Sequence, residues 1–158
     1  TQLFRFLRDT GFNYFYNGKY KKSISYLKKA LIIFPCDVEA IKQLGIAYLK
    51  KSDYDVARAF LLHVINNHKP YDIFTKNYII EAWRSLGELY NRLLLFNKAI
   101  LASKMAMYLD QDHINTWDRI AIAYNGLGEF KCANEALKRF KKKEKKIKRS
   151  MKKDRAQW

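Results

Sequence analysis

Residues 83–99 read WRSLGELYNRLLLFNKA, and the spacing inside this stretch predicts the fold of the chain. Tyr90 follows Gly87 by three residues and precedes Phe96 and Ala99 by six and nine residues. Four tyrosines with similar surroundings are separated in turn by 34, 42 and 34 residues: Tyr14, Tyr48, Tyr90 and Tyr124. A fixed period of this length predicts stacked repeats, each too small to bury its apolar face alone.

The residues around each tyrosine follow one pattern. Three positions earlier stand small residues: Gly11, Gly45, Gly87 and Ala121. Six and nine positions later stand aromatic and small residues: Tyr20 and Ser23, Tyr54 and Ala57, Phe96 and Ala99, Phe130 and Ala133. This pattern resembles the tetratricopeptide repeat, most fully at Trp83-x-x-Leu86-Gly87-x-x-Tyr90. The resemblance implies an all-α solenoid of four helix–turn–helix units, at 4–37, 38–71, 80–113 and 114–147.

The helices themselves are predicted from apolar periodicity and from the scarcity of proline and glycine. Leu27, Ala30, Leu31 and Phe34 lie at i, i+3, i+4 and i+7, which is one face of a helix. We expect about eight helices, the last a basic C-terminal extension, near 3–17, 20–34, 37–51, 54–68, 74–93, 96–109, 113–126 and 130–154. Residues 148–158 are expected to form the basic end of that last helix.

Three local features depart from the repeat or mark helix ends. Asp37 and Asp53 stand where the N-caps of the third and fourth helices belong. Leu94 occupies a turn position where glycine is usual, so we expect a less tight turn there. Residues 72–79 are an insertion, which either lengthens the fifth helix by about two turns or forms a loop over one edge.

The sequence contains no recognisable catalytic or metal-binding motif. GxSxG, HExxH, Walker-type and GxGxxG patterns are all missing. His63 and His68 are five residues apart and do not share a helix face, and Cys36 and Cys132 lack metal-type spacing. We therefore expect a protein that is not an enzyme, with no cofactor, no metal and no small-molecule substrate.

The charge of +16 is concentrated at the C-terminal end, where residues 138–158 carry a net +10 and the other residues +6. The longest apolar run, 30–34, is far shorter than the roughly 20 residues of a membrane span. No signal-peptide pattern is present, which favours the cytoplasm. The chain begins at Thr1 rather than Met, which fits a fragment, so a leader or anchor before Thr1 stays open.

The family resemblance also implies a binding surface. In such arrays the first helix of each unit lines a concave groove, through positions 2, 5, 9 and 12 of the unit. In this chain positions 5, 9 and 12 hold twelve residues: Arg8, Phe12, Phe15, Lys42, Ile46, Leu49, Arg84, Glu88, Asn91, Asp118, Ile122 and Asn125.

Three of these groove residues, Arg8, Lys42 and Arg84, form a basic ladder beside apolar groups in units 1 and 2. Such a groove suits a peptide bearing acids and large apolar side chains. We thus predict a protein-binding scaffold or adaptor, in which Lys42→Glu weakens partner binding without unfolding the array. The alternative for Phe12 and Phe15 is that they pack against a segment before Thr1.

Some tetratricopeptide proteins bind the C-terminal carboxylate of chaperones through a clamp of Lys, Asn, Asn, Lys and Arg. At the matching positions this chain has Arg8, Phe12, Gln43, Glu81 and Ser85. Four of the five positions lack the clamp residue type, so we do not expect this chain to bind a chaperone tail.

A second predicted interaction site is the basic C-terminal helix, where Phe140, Ile147 and Met151 form a thin apolar stripe. Three interpretations stay open: a solvated cap, attraction to an acidic protein, or contact with nucleic acid or an anionic membrane surface. The alternative function is the last of these, through Lys141, Lys142, Lys143, Lys145, Lys146, Lys148, Arg149, Lys152 and Lys153.

Overall fold

The computed structural model describes residues 1–110 and 115–155, and these ranges contain eight α-helices and no strand. None of the helices in these ranges is long and apolar enough to cross a bilayer. The predicted all-α class is confirmed, and the predicted start of the seventh helix near 113 lies outside the described residues. The helices are α1 (Gln2–Tyr16), α2 (Tyr20–Ile33), α3 (Val38–Lys50), α4 (Tyr54–Asn67), α5 (Ile73–Arg92), α6 (Phe96–Leu109), α7 (Asn115–Gly126) and α8 (Phe130–Arg155).

The helices pack as four pairs that stack in chain order. Each odd-numbered helix packs against the even-numbered helix that follows it, and each pair packs on the next. The odd-numbered helices also approach one another from pair to pair, whereas among the described residues no even-numbered helix approaches another. The stack therefore curves toward α1, α3, α5 and α7, which line its inner face.

One core runs through the stack and is centred on leucines. Leu27, Leu44, Leu61 and Leu86 are each at most 1% exposed, and apolar residues of the adjoining pair pack around them. Small residues let the paired helices approach closely, as the pattern predicts. At Gly11 an added Cβ would lie 2.8 Å from Leu27 Cγ, which is too close for any side chain.

All four turns inside the pairs share one geometry. In each turn one N–H donates to the carbonyl oxygen of the repeat tyrosine, at N···O distances of 2.8–3.0 Å. The residue before that N–H has a left-handed φ of 59–75° in every unit. The expectation of a less tight turn at Leu94 is therefore wrong, because Leu94 adopts the same left-handed conformation as the glycines and the turn closes with the same hydrogen bond. The four left-handed residues are Gly18, Ser52, Leu94 and Gly128.

Both predicted caps stand at the N-cap positions of α3 and α4, but only one of them makes a capping hydrogen bond. Asp37 accepts a hydrogen bond from the Ala40 N–H at 2.7 Å and so caps α3. Asp53 stands at the N-cap position of α4 but makes no side-chain capping bond there. Its carboxylate accepts instead from Lys51 Nζ at 2.8 Å.

The insertion lengthens α5 rather than forming a loop. α5 has 20 residues, and Asp72 caps it by accepting from the Thr75 N–H at 2.9 Å. Ile79 and Ile80 are buried at the root of the extension. Ile73 and Phe74 at its tip are each 68% exposed and follow Tyr71, which is 86% exposed, so the insertion adds an apolar tip to an inner-face helix.

Candidate functional site

A concavity of about 520 Å³ opens on the inner face between α5 and α7. Four residues predicted for the groove meet there, together with two arginines that were not predicted. The predicted residues come from positions 5, 9 and 12 of two successive units, so the fold brings equivalent helix faces together. The lining residues are Glu88, Asn91, Arg92, Asp118, Arg119 and Ile122.

Glu88 is the electrostatic centre of this concavity. Its carboxylate lies 3.0 Å from Lys50 Nζ, 2.8 Å from Arg92 Nη2 and 3.7 Å from Arg119 Nη2, so it joins α3, α5 and α7. Burial alone would raise the pKa of the Glu88 carboxyl. The hydrogen bonds and charges of Lys50, Arg119 and Arg92 outweigh burial and hold this pKa below its usual value.

The concavity combines this charged centre with apolar and polar walls. Ile122 is 49% exposed, and Asp118 is also exposed. The Asn91 side-chain amide donates to the Arg119 carbonyl oxygen at 3.2 Å and fixes α5 against α7. An apolar side chain and charged groups of both signs are thus presented within one shallow site.

Arg8 and Lys42, two residues of the predicted basic ladder, form ion pairs with acidic residues of the array itself. Arg8 lies 3.6 Å from Glu39 of the next unit and 3.7 Å from Asp37. Lys42, only 6% exposed, pairs with Glu81 of the following unit and lies over the Tyr78 ring. The assignment of Lys42 as an accessible groove residue is wrong, because position 5 of one unit meets an acid at position 2 of the next.

The apolar groove positions of units 1 and 2 also differ from the prediction. Leu49 is completely buried, so it cannot contact a ligand. Phe12 and Phe15 are half-buried against the core, with the Arg8 guanidinium 5.7 Å from the centre of the Phe12 ring. Ile46 is likewise half-buried against the core. The predicted open apolar floor is therefore mostly core.

Two further predicted groove residues lie beside the concavity. Arg84 is half-buried, and burial followed by the charge of Arg119 lowers the pKa of its guanidinium. Asn125 is exposed on α7 and does not line the concavity.

Sequence reasoning missed Arg92 and Arg119, which lie one residue from the predicted positions 12 and 5. The sequence feature that could have identified them was a charged residue adjacent to a groove position. Sequence reasoning also missed the exposed apolar residues at the start of the insertion, Ile73 and Phe74, which follow the exposed Tyr71 at the end of unit 2.

The predicted basic residues of α8 lie between positions 141 and 153, and most of them are on its surface. Lys143 is half-buried, and the side chain of Lys153 lies outside the described residues. The others are exposed: Lys141, Lys142, Lys145, Lys146, Lys148, Arg149 and Lys152.

Metal-ligating side chains do not cluster in the part of the chain that the structure describes: no group of three or more His, Cys, Asp or Glu could hold an ion there. Cys36 and Cys132 are both exposed free thiols. His63 and His68 stand with ring centres 6.2 Å apart, and burial followed by the charge of His63 lowers the pKa of His68.

No protein-family model matches the chain, and no curated protein matches it.

Several solved structures are similar to the chain in fold. MamA is 25% identical, with a TM-score of 0.79 over 92% of this chain and 81% of MamA. The first TPR of Spaghetti (RPAP3), bound to HSP90 peptide SRMEEVD, is 17% identical, with a TM-score of 0.69 over 81% of this chain and 95% of that one. A thermophilic TPR protein of Thermus thermophilus is 19% identical, with a TM-score of 0.67 over 87% of this chain and 72% of that one. The repeat pattern, the stacked pairs and these matches together show that the chain is a tetratricopeptide-repeat protein in its fold.

Proposed function

We propose that the chain is a non-enzymatic scaffold that holds a peptide segment of a partner protein along its inner face. The observation that carries this proposal is the α5–α7 concavity, in which Ile122 is half-exposed among charged side chains. A shallow site with an apolar anchor and a charged rim suits a peptide side chain better than a small molecule, which requires an enclosed pocket.

One continuous face of α5 gives the peptide a path. Six residues follow one another at alternating intervals of four and three, which keeps them on one side of a helix. From the first to the last of these residues the helix rises about 27 Å, the length of about eight extended peptide residues. The face begins on the insertion and ends in the concavity: Phe74, Tyr78, Glu81, Ser85, Glu88 and Arg92.

The chemistry of this path favours a peptide with large apolar residues at both ends. Phe74 and Ile73 offer apolar contact at the insertion, and Ile122 offers it at the concavity. Basic groups outnumber acidic ones around Glu88, which favours an acidic residue in the peptide near Ile122. The RPAP3 structure supports peptide binding by this fold, but Gln43, Glu81 and Ser85 make a chaperone-tail ligand unsuitable here.

The test uses a phage-displayed library of random 16-residue peptides selected against the intact chain. Selected peptides are expected to bind with micromolar affinity by calorimetry and to lose at least about tenfold on Ile122→Glu, which places a charge against the apolar anchor. Ala59→Glu, an exposed change on α4 of the outer face, is the matched control and leaves affinity unchanged. Equal affinity of both variants, or failure to select any peptide, contradicts the proposal.

A further inference from the structure

We propose that α8 binds the phosphate backbone of duplex nucleic acid through one basic face, without reading base sequence. This basic face consists of exposed residues between positions 141 and 152 of α8: Lys141, Lys142, Lys145, Lys146, Lys148, Arg149 and Lys152. The proposal involves none of the inner-face residues, so it holds or fails independently of peptide binding.

The length of α8 makes this face accessible. α8 has 26 residues, whereas its antiparallel partner α7 has 12. The part of α8 that carries the basic face therefore continues beyond the helix that it packs on. No described residue outside α8 is seen to pair with the basic face.

The basic residues occupy one side of the helix. At about 100° per residue, the seven side chains fall within an arc of about 160°. Ile147 and Met151, which are 37% and 59% exposed, lie on the opposite side. Residues 138–152 include a single acid, Glu144, whose carboxylate lies 2.7 Å from Lys148 Nζ.

The density of charge on this face matches that of a duplex. Residues 141–152 rise about 16 Å along the helix, which gives about one positive charge per 2.4 Å. A duplex carries about one negative charge per 1.7 Å of its axis. Cations at this density on one side of a helix can contact phosphates and release the condensed counterions of the duplex.

Other anionic partners fit this helix less well. A membrane-surface helix needs its lysines beside a broad apolar face, but here the apolar stripe is thin, lies opposite the basic face and is bordered by Glu144. Single-stranded nucleic acid is held by aromatic stacking, and the basic face contains no aromatic residue. Its cations are nearly all lysines, which suit phosphate contacts better than paired hydrogen bonds to bases.

The test is fluorescence anisotropy with a labelled 20-base-pair duplex of random sequence, across a range of salt concentrations. The intact chain is expected to bind with a slope of log affinity against log salt between about −4 and −6, because each neutralised phosphate contributes about −0.9. Replacing Lys142, Lys145, Arg149 and Lys152 by Gln should weaken binding at least about tenfold at 100 mM salt and reduce the slope by about 3.

The matched control replaces Lys21, Lys22, Lys28 and Lys29 of α2 by Gln, which removes the same charge from another exposed helix. It should leave the slope unchanged, and circular dichroism verifies that both variants stay helical. If both variants lose affinity for the duplex equally, net charge alone explains the loss and the proposal is wrong. Absence of duplex binding also overturns the proposal. So does binding to phosphatidylserine vesicles that is tighter than duplex binding, if Ile147→Ser and Met151→Ser abolish the vesicle binding.

Discussion

At the scale of single residues, the turn inside each pair is where local conformation conflicts with sequence. The turn requires a left-handed residue, and glycine supplies it at Gly18 and Gly128. At Ser52 and Leu94 the same conformation crowds Cβ against the backbone, which costs about 1–2 kcal/mol. Leu94 is 70% exposed, so its side chain returns little packing energy for this strain.

Leu94→Gly is therefore expected to stabilise the chain. The strain is relieved, while the greater freedom of glycine in the unfolded state offsets part of the gain. The expected increase in the free energy of unfolding is about 0.5–1 kcal/mol, measured by urea denaturation. Leu94→Ala is the control, because it removes the exposed side chain but keeps the strain; a gain of equal size in that variant contradicts the explanation.

Glu88 gives the stability a pH dependence with a defined sign. Its pKa is lower in the folded chain than in the unfolded chain, so it contributes stability above the unfolded value of about 4.3. This contribution is lost as pH falls through the folded value. Glu88→Gln is expected to lower the free energy of unfolding by about 2 kcal/mol at pH 7, because three cations lose their shared carboxylate.

The effect of Glu88→Gln should shrink as pH falls below the unfolded value of about 4.3, because the native carboxyl then gains its proton. Urea unfolding across a series of decreasing pH values measures this convergence. Glu135→Gln, an exposed change on α8, is the control and should alter stability little. If the difference in unfolding free energy between Glu88→Gln and the unaltered chain does not change with pH, the loss arises from altered packing rather than from the missing charge.

At the scale of helices, the sequence predicted elements better than it predicted surfaces. The repeat spacing together with apolar periodicity located all eight helices, because each unit contributes two helices and each helix must bury one stripe. The accessible face was harder to predict, since exposure depends on what the neighbouring unit places opposite each residue. Lys42 illustrates this: its position indicated the groove, but Glu81 lies 39 residues away and covers it. No local pattern contains that pairing.

The pairing of Lys42 with Glu81 predicts a charge-swap experiment. Lys42→Glu places two carboxylates together between α3 and α5, where position 42 is buried and Glu81 is half-exposed. The expected loss of stability is about 1–3 kcal/mol. The expectation from sequence that this change spares the array is therefore revised. Adding Glu81→Lys restores the pair in reverse and should recover much of the loss, as measured by thermal unfolding. If the double variant is no more stable than Lys42→Glu alone, the ion pair does not join these helices.

At the scale of the whole molecule, the array is a chain of neighbour contacts. Within residues 1–110 and 115–155, each pair contacts only the pairs beside it, so stability is approximately a sum over units and junctions. α3 carries nine buried residues among its thirteen, whereas α1 carries two. The middle of the array is therefore expected to hold its amide protons longest.

Because each pair contacts its neighbours alone within the described residues, a cavity in one pair should destabilise nearby helices more than distant ones. Ile120 in α7 is 2% exposed and Leu27 in α2 is completely buried, so the two provide equivalent cavities in opposite end pairs. Each substitution by Ala is expected to cost about 2–5 kcal/mol.

Under native conditions, Ile120→Ala should accelerate hydrogen exchange in α7 and α8 first, and Leu27→Ala should do so in α1 and α2. In both variants α3 and α5 should keep most of their protection, because their junction is untouched. Uniform acceleration of every helix by either variant would mean that the array unfolds as one unit, and that packing beyond nearest neighbours holds it together.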